Sequence, residues 1–283
     1  MNKGSRIVLF IVIILFLVLL IFFLTNYTNL NKVFIKERAE FITKNEDYEI
    51  KIFTEELIKD LPEPLKKHLR VSGYINTPIP VNADVYWTES WLKMAPDKDW
   101  QKLETTQFNS VKPIGRLAYM KFTEMPVAAR DMYRNGYGEI NGKLMNLVTV
   151  AFDNNPEVAQ SALITVFCEF MFVPGYLLSD NIKWETIDDY SVRGTLEDNG
   201  IKVSGVFYFD KEGFFSHFET LDRYYTTGKN AYEKVKFSAV VDSYKTQGDF
   251  KICEKIKIIW HLPEGNYEYF KGIVDKIDFN VLH

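Results

Sequence analysis

Three carboxylates in this 283-residue chain have the best potential for catalysis: Glu169, Asp131 and Glu139. Two carboxylates that flank a glycosidic bond can act as acid and base in glycan hydrolysis. The chain has the groups for this reaction if the fold brings Glu169 close to Asp131 or Glu139. The alternative is that Glu169 is ion-paired with an arginine such as Arg130 or Arg223, because a buried carboxylate needs a partner. We favour the ion pair and assign no catalytic residue.

Other catalytic and metal-binding patterns are missing from the sequence. The four histidines are scattered, without the helical spacing of a zinc pair: His68, His217, His261 and His283. The glycines between 136 and 142 are typical of a turn, because they lack the spacing and the following helix of a nucleotide-binding loop. No G-x-S-x-G elbow or Walker loop is present. Cys168 and Cys253 lie in apolar stretches, which indicates isolated buried thiols; a disulfide between them is the alternative if the domain is exported. We therefore expect no metal and no cofactor.

Aromatic residues make up 15% of the chain, with 22 Phe and 16 Tyr. Such side chains favour strands and the walls of apolar cavities, although strand aromatics also fill ordinary cores. We predict a ligand site formed by three aromatic and three charged residues: Trp184, Trp260, Tyr269, Arg130, Asp131 and Glu169. The net charge of −4 is spread without a long run of either sign, so nucleic-acid binding is not expected.

A membrane segment is predicted from Ile7 to Leu24, where all 18 residues are Ile, Val, Leu or Phe. This length and composition are those of a membrane-spanning helix. A cleaved signal peptide is the alternative, but the run ends in Thr25-Asn26-Tyr27 without an A-x-A-like cleavage site. The lipid bilayer is therefore an expected partner, through a single-pass anchor.

The charges that flank this anchor are nearly balanced, so its orientation is predicted from its position in the chain. Lys3 and Arg6 precede the run, and three basic residues follow it: Lys32, Lys36 and Arg38. A short N-terminal tail before a large C-terminal domain is typical of a signal-anchor. We expect the globular part outside the cytoplasm, on a protein of the cell membrane.

Three segments are predicted: a tail and transmembrane anchor at 1–25, a polar stalk at 26–52, and a β-rich domain at 53–283. A short helix is expected from Leu61-Pro62-Glu63-Pro64, because proline suits the first helical turn. From Val81 onward, apolar residues alternate with polar ones, which indicates strands. Asn141-Gly142 predicts a hairpin turn, and 214–225 reads as one continuous strand.

An apolar helix is expected to interrupt the strands from Asn155 to Val173, with Pro156 at its start and Pro174-Gly175 at its end. The sheet would have roughly nine or ten strands, and a sheet of that size must curl or close to protect its apolar face. The predicted fold is mainly β (α+β): a curled antiparallel sheet or half-barrel, covered by the inserted apolar helix and preceded by one transmembrane helix.

Several spaced motifs resemble a bacterial family catalogued as domain of unknown function 6544. They are 61–65 (LPEPL), 129–133 (ARDMY), 136–138 (GYG), Glu169 before Val173-Pro174, Trp184-Glu185, and 260–265 (WHLPEG) before Tyr269. The resemblance covers about Leu61 to Asn280 and implies an anchored or exported protein without implying an activity. The order of elements also looks like the lipoprotein-carrier and lipid-binding half-barrels of bacterial envelopes.

Three functions are compatible with these residues. The leading hypothesis is a non-enzymatic domain that holds a lipid or a lipidated partner in an apolar cavity. The second is an envelope interaction or scaffold domain, which requires a packed interior and an exposed apolar patch. The third is a hydrolase of envelope glycans or lipids, which requires carboxylates in an open cleft; Glu169 sealed beside an arginine would count against it. The sequence leaves the oligomeric state open.

Overall fold

A large antiparallel sheet organises the chain in a computed structural model that describes residues 3–46 and 48–282. The helices are α1 (Lys3–Asn26), α2 (Leu30–Asn45), α3 (Glu63–Val71) and α4 (Pro156–Cys168). The strands are β1 (Asn82–Leu92), β2 (Gln101–Ser110), β3 (Gly115–Phe122), β4 (Val127–Arg134), β5 (Tyr137–Leu144), β6 (Val148–Asp153), β7 (Ile182–Asp188), β8 (Ser191–Asp198), β9 (Ile201–Phe209), β10 (Phe215–Thr220), β11 (Tyr224–Gly228), β12 (Ala231–Lys234), β13 (Phe237–Gln247), β14 (Phe250–Leu262) and β15 (Gly265–Phe279).

The sheet is curled but not closed. Thirteen strands pair in the order β6-β5-β4-β3-β2-β1-β15-β14-β13-β10-β9-β8-β7, and β11 and β12 form a separate ribbon. Helix α4 contacts both β5 and β9, although eight strands lie between these two in the sheet order. The sheet must therefore bend around the helix. This confirms the predicted curled antiparallel sheet covered by an inserted apolar helix.

The turns of the first meander differ from the prediction. Asn141-Gly142 lies inside β5, paired with Arg130 and Ala129 of β4, so the predicted hairpin turn there is wrong. The β4–β5 turn is instead at Asn135-Gly136, where both residues have positive φ angles of 52° and 76°. A two-residue turn of this kind needs positive φ at both positions, which Asn-Gly provides. Of the two Asn-Gly pairs in this part of the chain, the first one makes the turn.

Helix α1 is the one described helix that is long and apolar enough to cross a membrane. None of its described side chains is buried against the rest of the protein. The helix is compatible with a single-pass anchor or with a signal sequence. It ends at Asn26, and α2 begins only four residues later, at Leu30.

Helix α2 occupies much of the segment predicted to be a stalk. The Asn29 side chain caps it by accepting a hydrogen bond from the Lys32 backbone N–H at 3.1 Å. Phe34, Phe41 and Ile42 share one face of the helix and are buried against β2, β3 and β4. These apolar residues are few and spread over about two helical turns of a mostly polar segment. The composition of the segment therefore indicates a stalk and not a packed helix.

Strands β3 and β4 are covered on both faces. Leu117 and Met132 point outward to the buried cluster under α2. Arg116, Ala118 and Asp131 lie on the opposite, inner face of the sheet, towards α4. The two-residue period of a strand produces this division, because successive side chains alternate between faces.

The C-terminal half of α4 leads into a dense aromatic core. Phe207 is fully buried, and its ring lies 4.9 Å from Phe167, 5.0 Å from Phe170, 5.2 Å from Trp184 and 4.7 Å from Phe218. The helix ends at Cys168, and a short 3-10 turn (Glu169–Met171) follows directly. This core fixes the end of α4 and so positions the first residue of the turn.

His68 of α3 gives the fold a pH dependence. The ring is buried between Phe170 and Phe209, and its Nδ1 accepts a hydrogen bond from the Phe215 backbone N–H at 3.3 Å. Burial lowers the pKa of His68 from 6.5 to about 4. The unfolded chain therefore binds one more proton than the folded chain between these values. We expect the free energy of unfolding to fall by up to about 1.4 kcal/mol per pH unit as the pH drops through this window.

Chemical denaturation of the full chain in detergent, at about pH 7 and about pH 5, measures this dependence. His68→Gln should lower stability at both values and reduce the difference between them. His217→Gln serves as the control, because it leaves His68 in place and should retain most of the slope. An equal pH slope in wild type and His68→Gln would contradict the assignment.

Candidate functional site

A cavity of about 480 Å³ lies between the C-terminal half of α4 and the inner face of the sheet; we refer to it as the inner cavity. Its wall takes residues from β1 to β6, from β13 to β15, and from α4 and the 3-10 turn. Most of these side chains are apolar, among them Met120, Phe122, Phe172 and Ile258. The volume and the apolar wall are within the range of small-molecule binding sites.

The inner cavity opens where its wall residues reach the surface. Four of them are exposed by 39–63%: Met94, Met125, Ile140 and Val150. We call these four residues the rim. An exposed group of large apolar side chains around an opening is typical of a site for an apolar ligand or of contact with a membrane.

A buried ion cluster forms the polar part of the wall. Arg116 Nε donates to both carboxylate oxygens of Glu169 at 2.9 Å, and its Nη1 donates to Asp131 Oδ2 at 2.7 Å. Asn109 Nδ2 donates to Glu169 Oε2 at 2.7 Å, and Gln107 Nε2 donates to Asn109 Oδ1 at 2.8 Å. Arg116 is thus held by two carboxylates, and the two amides extend the network from Glu169.

The fold brings the members of this cluster together from distant positions. Asp131 pairs with Ala118 in the β3–β4 ladder, which places it diagonally beside Arg116 on the same face. Glu169 approaches from the other side, because it is the first residue after α4. Three adjacent strands, β2, β3 and β4, and the end of α4 are therefore all required to form the cluster.

Glu169 is sealed and paired, which restricts its chemistry. It is 6% exposed, and burial raises the pKa of its carboxyl while Arg116 acts in the opposite direction. The sequence predicts an arginine partner for Glu169, such as Arg130 or Arg223. The structure has an arginine there, but it is Arg116. Both oxygens already accept hydrogen bonds, so the carboxylate has a structural partner set.

Arg223 is the second cation of the wall. It lies between β10 and β11, where the single strand predicted over 214–225 is broken. Its Nη1 donates to Thr165 Oγ1 at 2.5 Å, and its Nη2 lies 3.4 Å from Tyr269 Oη. The guanidinium stacks on Phe237, 4.2 Å from the ring centre, and on Trp260 at 5.5 Å.

The six residues predicted to bind ligand fall in different places. Asp131, Glu169 and Tyr269 line the inner cavity. Trp260 lies behind Arg223, and Trp184 packs in the aromatic core, where its Nε1 donates to the Leu177 carbonyl at 3.1 Å. These two tryptophans contribute to packing beside the wall.

Arg130 lies on the outer face of the sheet, under α2. Its guanidinium pairs with Glu139 at 2.5 Å and with Glu37 at 3.4 Å. Sequence reasoning did not select Arg116. A signal was present, because Arg116 shares its strand face with Ala118, Met120 and Phe122, and a charge on an apolar face indicates a buried ion pair.

The remaining reactive groups do not add chemistry to the wall. Cys168 and Cys253 are free and buried, and burial raises the pKa of each thiol to about 12. Within residues 3–46 and 48–282, no group of three or more His, Cys, Asp or Glu residues is placed to hold a metal ion.

The fold and the site define a class of protein: a curled, open antiparallel sheet that encloses an apolar cavity beside a central helix. The chain belongs to the family of unknown function DUF6544, which it matches over residues 51–272. No curated protein gives a significant match.

Two solved structures are among those similar to this chain. A DUF1329 family protein from Desulfovibrio piger has 7% sequence identity and a TM-score of 0.42, over 77% of this chain and 92% of that protein. A LolA superfamily protein from Nitrosomonas europaea has 10% identity and a TM-score of 0.42, over 78% of this chain and 93% of that protein.

Proposed function

We propose that this protein is a membrane-tethered, extracytoplasmic domain that binds an acyl chain of a lipid or of a lipidated partner in the inner cavity. The observation that carries the proposal is the cavity itself, with its volume of about 480 Å³ and its mostly apolar wall. An acyl chain gains free energy on entering such a space, at about 0.8 kcal/mol for each buried CH₂ group.

The position of the rim supports a membrane lipid as the ligand. The β5–β6 turn contacts the end of α1, because the Thr28 backbone N–H donates to the Asn146 carbonyl at 2.8 Å and Lys143 Nζ donates to the Asn26 carbonyl at 2.8 Å. Val150 of the rim lies on β6, directly after this turn. With α1 in the bilayer, the cavity opening is close to the lipid surface.

The two alternative functions have weaker support. A hydrolase needs a carboxylate that is free to exchange protons with a substrate, whereas Glu169 is sealed beside Arg116. A pure scaffold domain needs no cavity, and the exposed apolar residues of the rim surround the opening of one. Both features favour binding without catalysis.

Photolabelling of the full chain in lipid vesicles tests the proposal. The vesicles contain phosphatidylglycerol with a photoreactive group on its acyl chain, and labelled peptides are mapped by mass spectrometry after irradiation. We expect label on α1 and also on the inner faces of β3, β4 and β5. Ala129→Phe places a ring in the cavity and should lower the wall label severalfold, because the ring occupies space that the acyl chain needs.

The matched control is Thr106→Phe, which adds the same ring on the outer face of the sheet, where Thr106 pairs with Tyr86 and Tyr119. It should leave the wall label unchanged. The amount of label on α1 should be the same in every variant, which shows that each variant is inserted in the bilayer and reached by the probe. Label confined to α1 in the wild type would refute lipid binding, and cleaved lipid in the same vesicles would indicate the hydrolase.

A further inference from the structure

The ion pairs of the inner cavity are unevenly distributed, because its wall contains two arginines and two carboxylates and both carboxylates pair with the same arginine. Arg116 is held by the carboxylates of Glu169 and Asp131. Arg223 makes no ion pair with any carboxylate of the described residues, although its guanidinium lies in the same wall. A cation in a largely apolar wall is costly without a partner, so the partner of Arg223 is to be sought in a ligand.

The hydrogen bonds of Arg223 are also incomplete. A guanidinium has five N–H donors in a planar fork. Thr165 and Tyr269 accept from Nη1 and Nη2, whereas the buried Nε has no hydrogen-bond partner among the described residues. Oxyanions such as phosphate and carboxylate match this fork with two parallel hydrogen bonds.

The surroundings fix the plane of the guanidinium. Its contact with the Phe237 ring, at 4.2 Å, holds one face, and the hydroxyl of Thr165 holds one edge. Stacking partly stabilises the charge but leaves the in-plane donors for another acceptor. An arginine that is already oriented loses little side-chain entropy when it binds an anion.

We propose that Arg223, with Thr165 and Tyr269, forms an anion-binding subsite in the inner cavity, and that the ligand is an amphiphile with a phosphate or carboxylate group. This inference rests on the proposed lipid binding and specifies its ligand class. The apolar wall takes the acyl chain, and Arg223 takes the charged group. A neutral lipid such as diacylglycerol leaves the guanidinium without its partner.

Three photoreactive probes with the same acyl chain test the subsite in vesicles that contain the full protein: phosphatidic acid, a free fatty acid and diacylglycerol. Wall label is divided by α1 label, which corrects for the amount of each probe in the bilayer. We expect this ratio to be at least about tenfold higher for one or both anionic probes than for diacylglycerol. One charge-assisted hydrogen bond contributes a free energy of that size. The stronger of the two anionic probes identifies phosphate or carboxylate.

Arg223→Gln should reduce the ratio for the anionic probe to that of diacylglycerol and leave diacylglycerol unchanged. Arg193→Gln removes an exposed arginine and is the matched control, with no change expected. Equal ratios for all three probes in the wild type would overturn the subsite while lipid binding stands, and this comparison needs no variant. Absence of wall label with every probe would overturn lipid binding itself.

Discussion

Arg116→Met should lower the free energy of unfolding by about 3–5 kcal/mol, because it leaves the buried Glu169 and the partly buried Asp131 without their cation. The arginine is 9% exposed and donates to both carboxylates, so its loss leaves two acceptors with a net negative charge in an apolar wall. Chemical denaturation of the full chain in detergent measures the loss.

A second substitution separates the charge from the packing. Glu169→Gln in the Arg116→Met background removes one of the two unpaired charges and should recover part of the lost stability, since the two residues are in contact and their effects are not additive. Arg193→Met removes an exposed arginine and should change stability by less than about 0.5 kcal/mol. A loss below about 1 kcal/mol for Arg116→Met would show that the cluster is hydrated rather than sealed.

Phe41→Ala should destabilise the domain by about 3–5 kcal/mol, the usual cost of removing a buried phenylalanine ring. Phe41 is 1% exposed, and its ring lies 6.0 Å from Phe108 of β2 and covers Gly115 of β3. The effect arises because α2 is part of the folded domain, with its apolar face packed on the sheet.

Ile35→Ala is the control on the same helix, because Ile35 is 56% exposed and makes no buried contact with the sheet. It should change stability by less than about 0.5 kcal/mol. Similar small effects of both substitutions would mean that residues 30–45 act as a stalk that does not contribute to folding.

The sequence predicts the individual helices and strands of this protein better than it predicts which of them pack together. Helix α4 was expected from Asn155, with Pro156 at its first position, and the structure begins it there. The N-terminal apolar helix was likewise evident from composition. Both depend on interactions within a short stretch of chain, which periodicity and end signals describe well.

The contacts between distant segments were not evident. The pairing of β1 with β15 joins the two ends of the domain, and no local pattern specifies it. Arg116 and Glu169 meet across 53 positions of the chain, so an arginine could be expected beside Glu169 without knowledge of which one. Strands β3 and β4 are covered on both faces, and alternation then does not tell which face holds the cavity.

The open edges of the sheet have a consequence for the capacity of the protein. In a closed barrel the hydrogen bonds fix the circumference, and the lumen cannot widen unless a strand pair separates. Here β6 and β7 end the sheet without pairing to each other. The curl can therefore relax or tighten with every ladder intact, and the enclosed volume can adjust to chains of different length and branching.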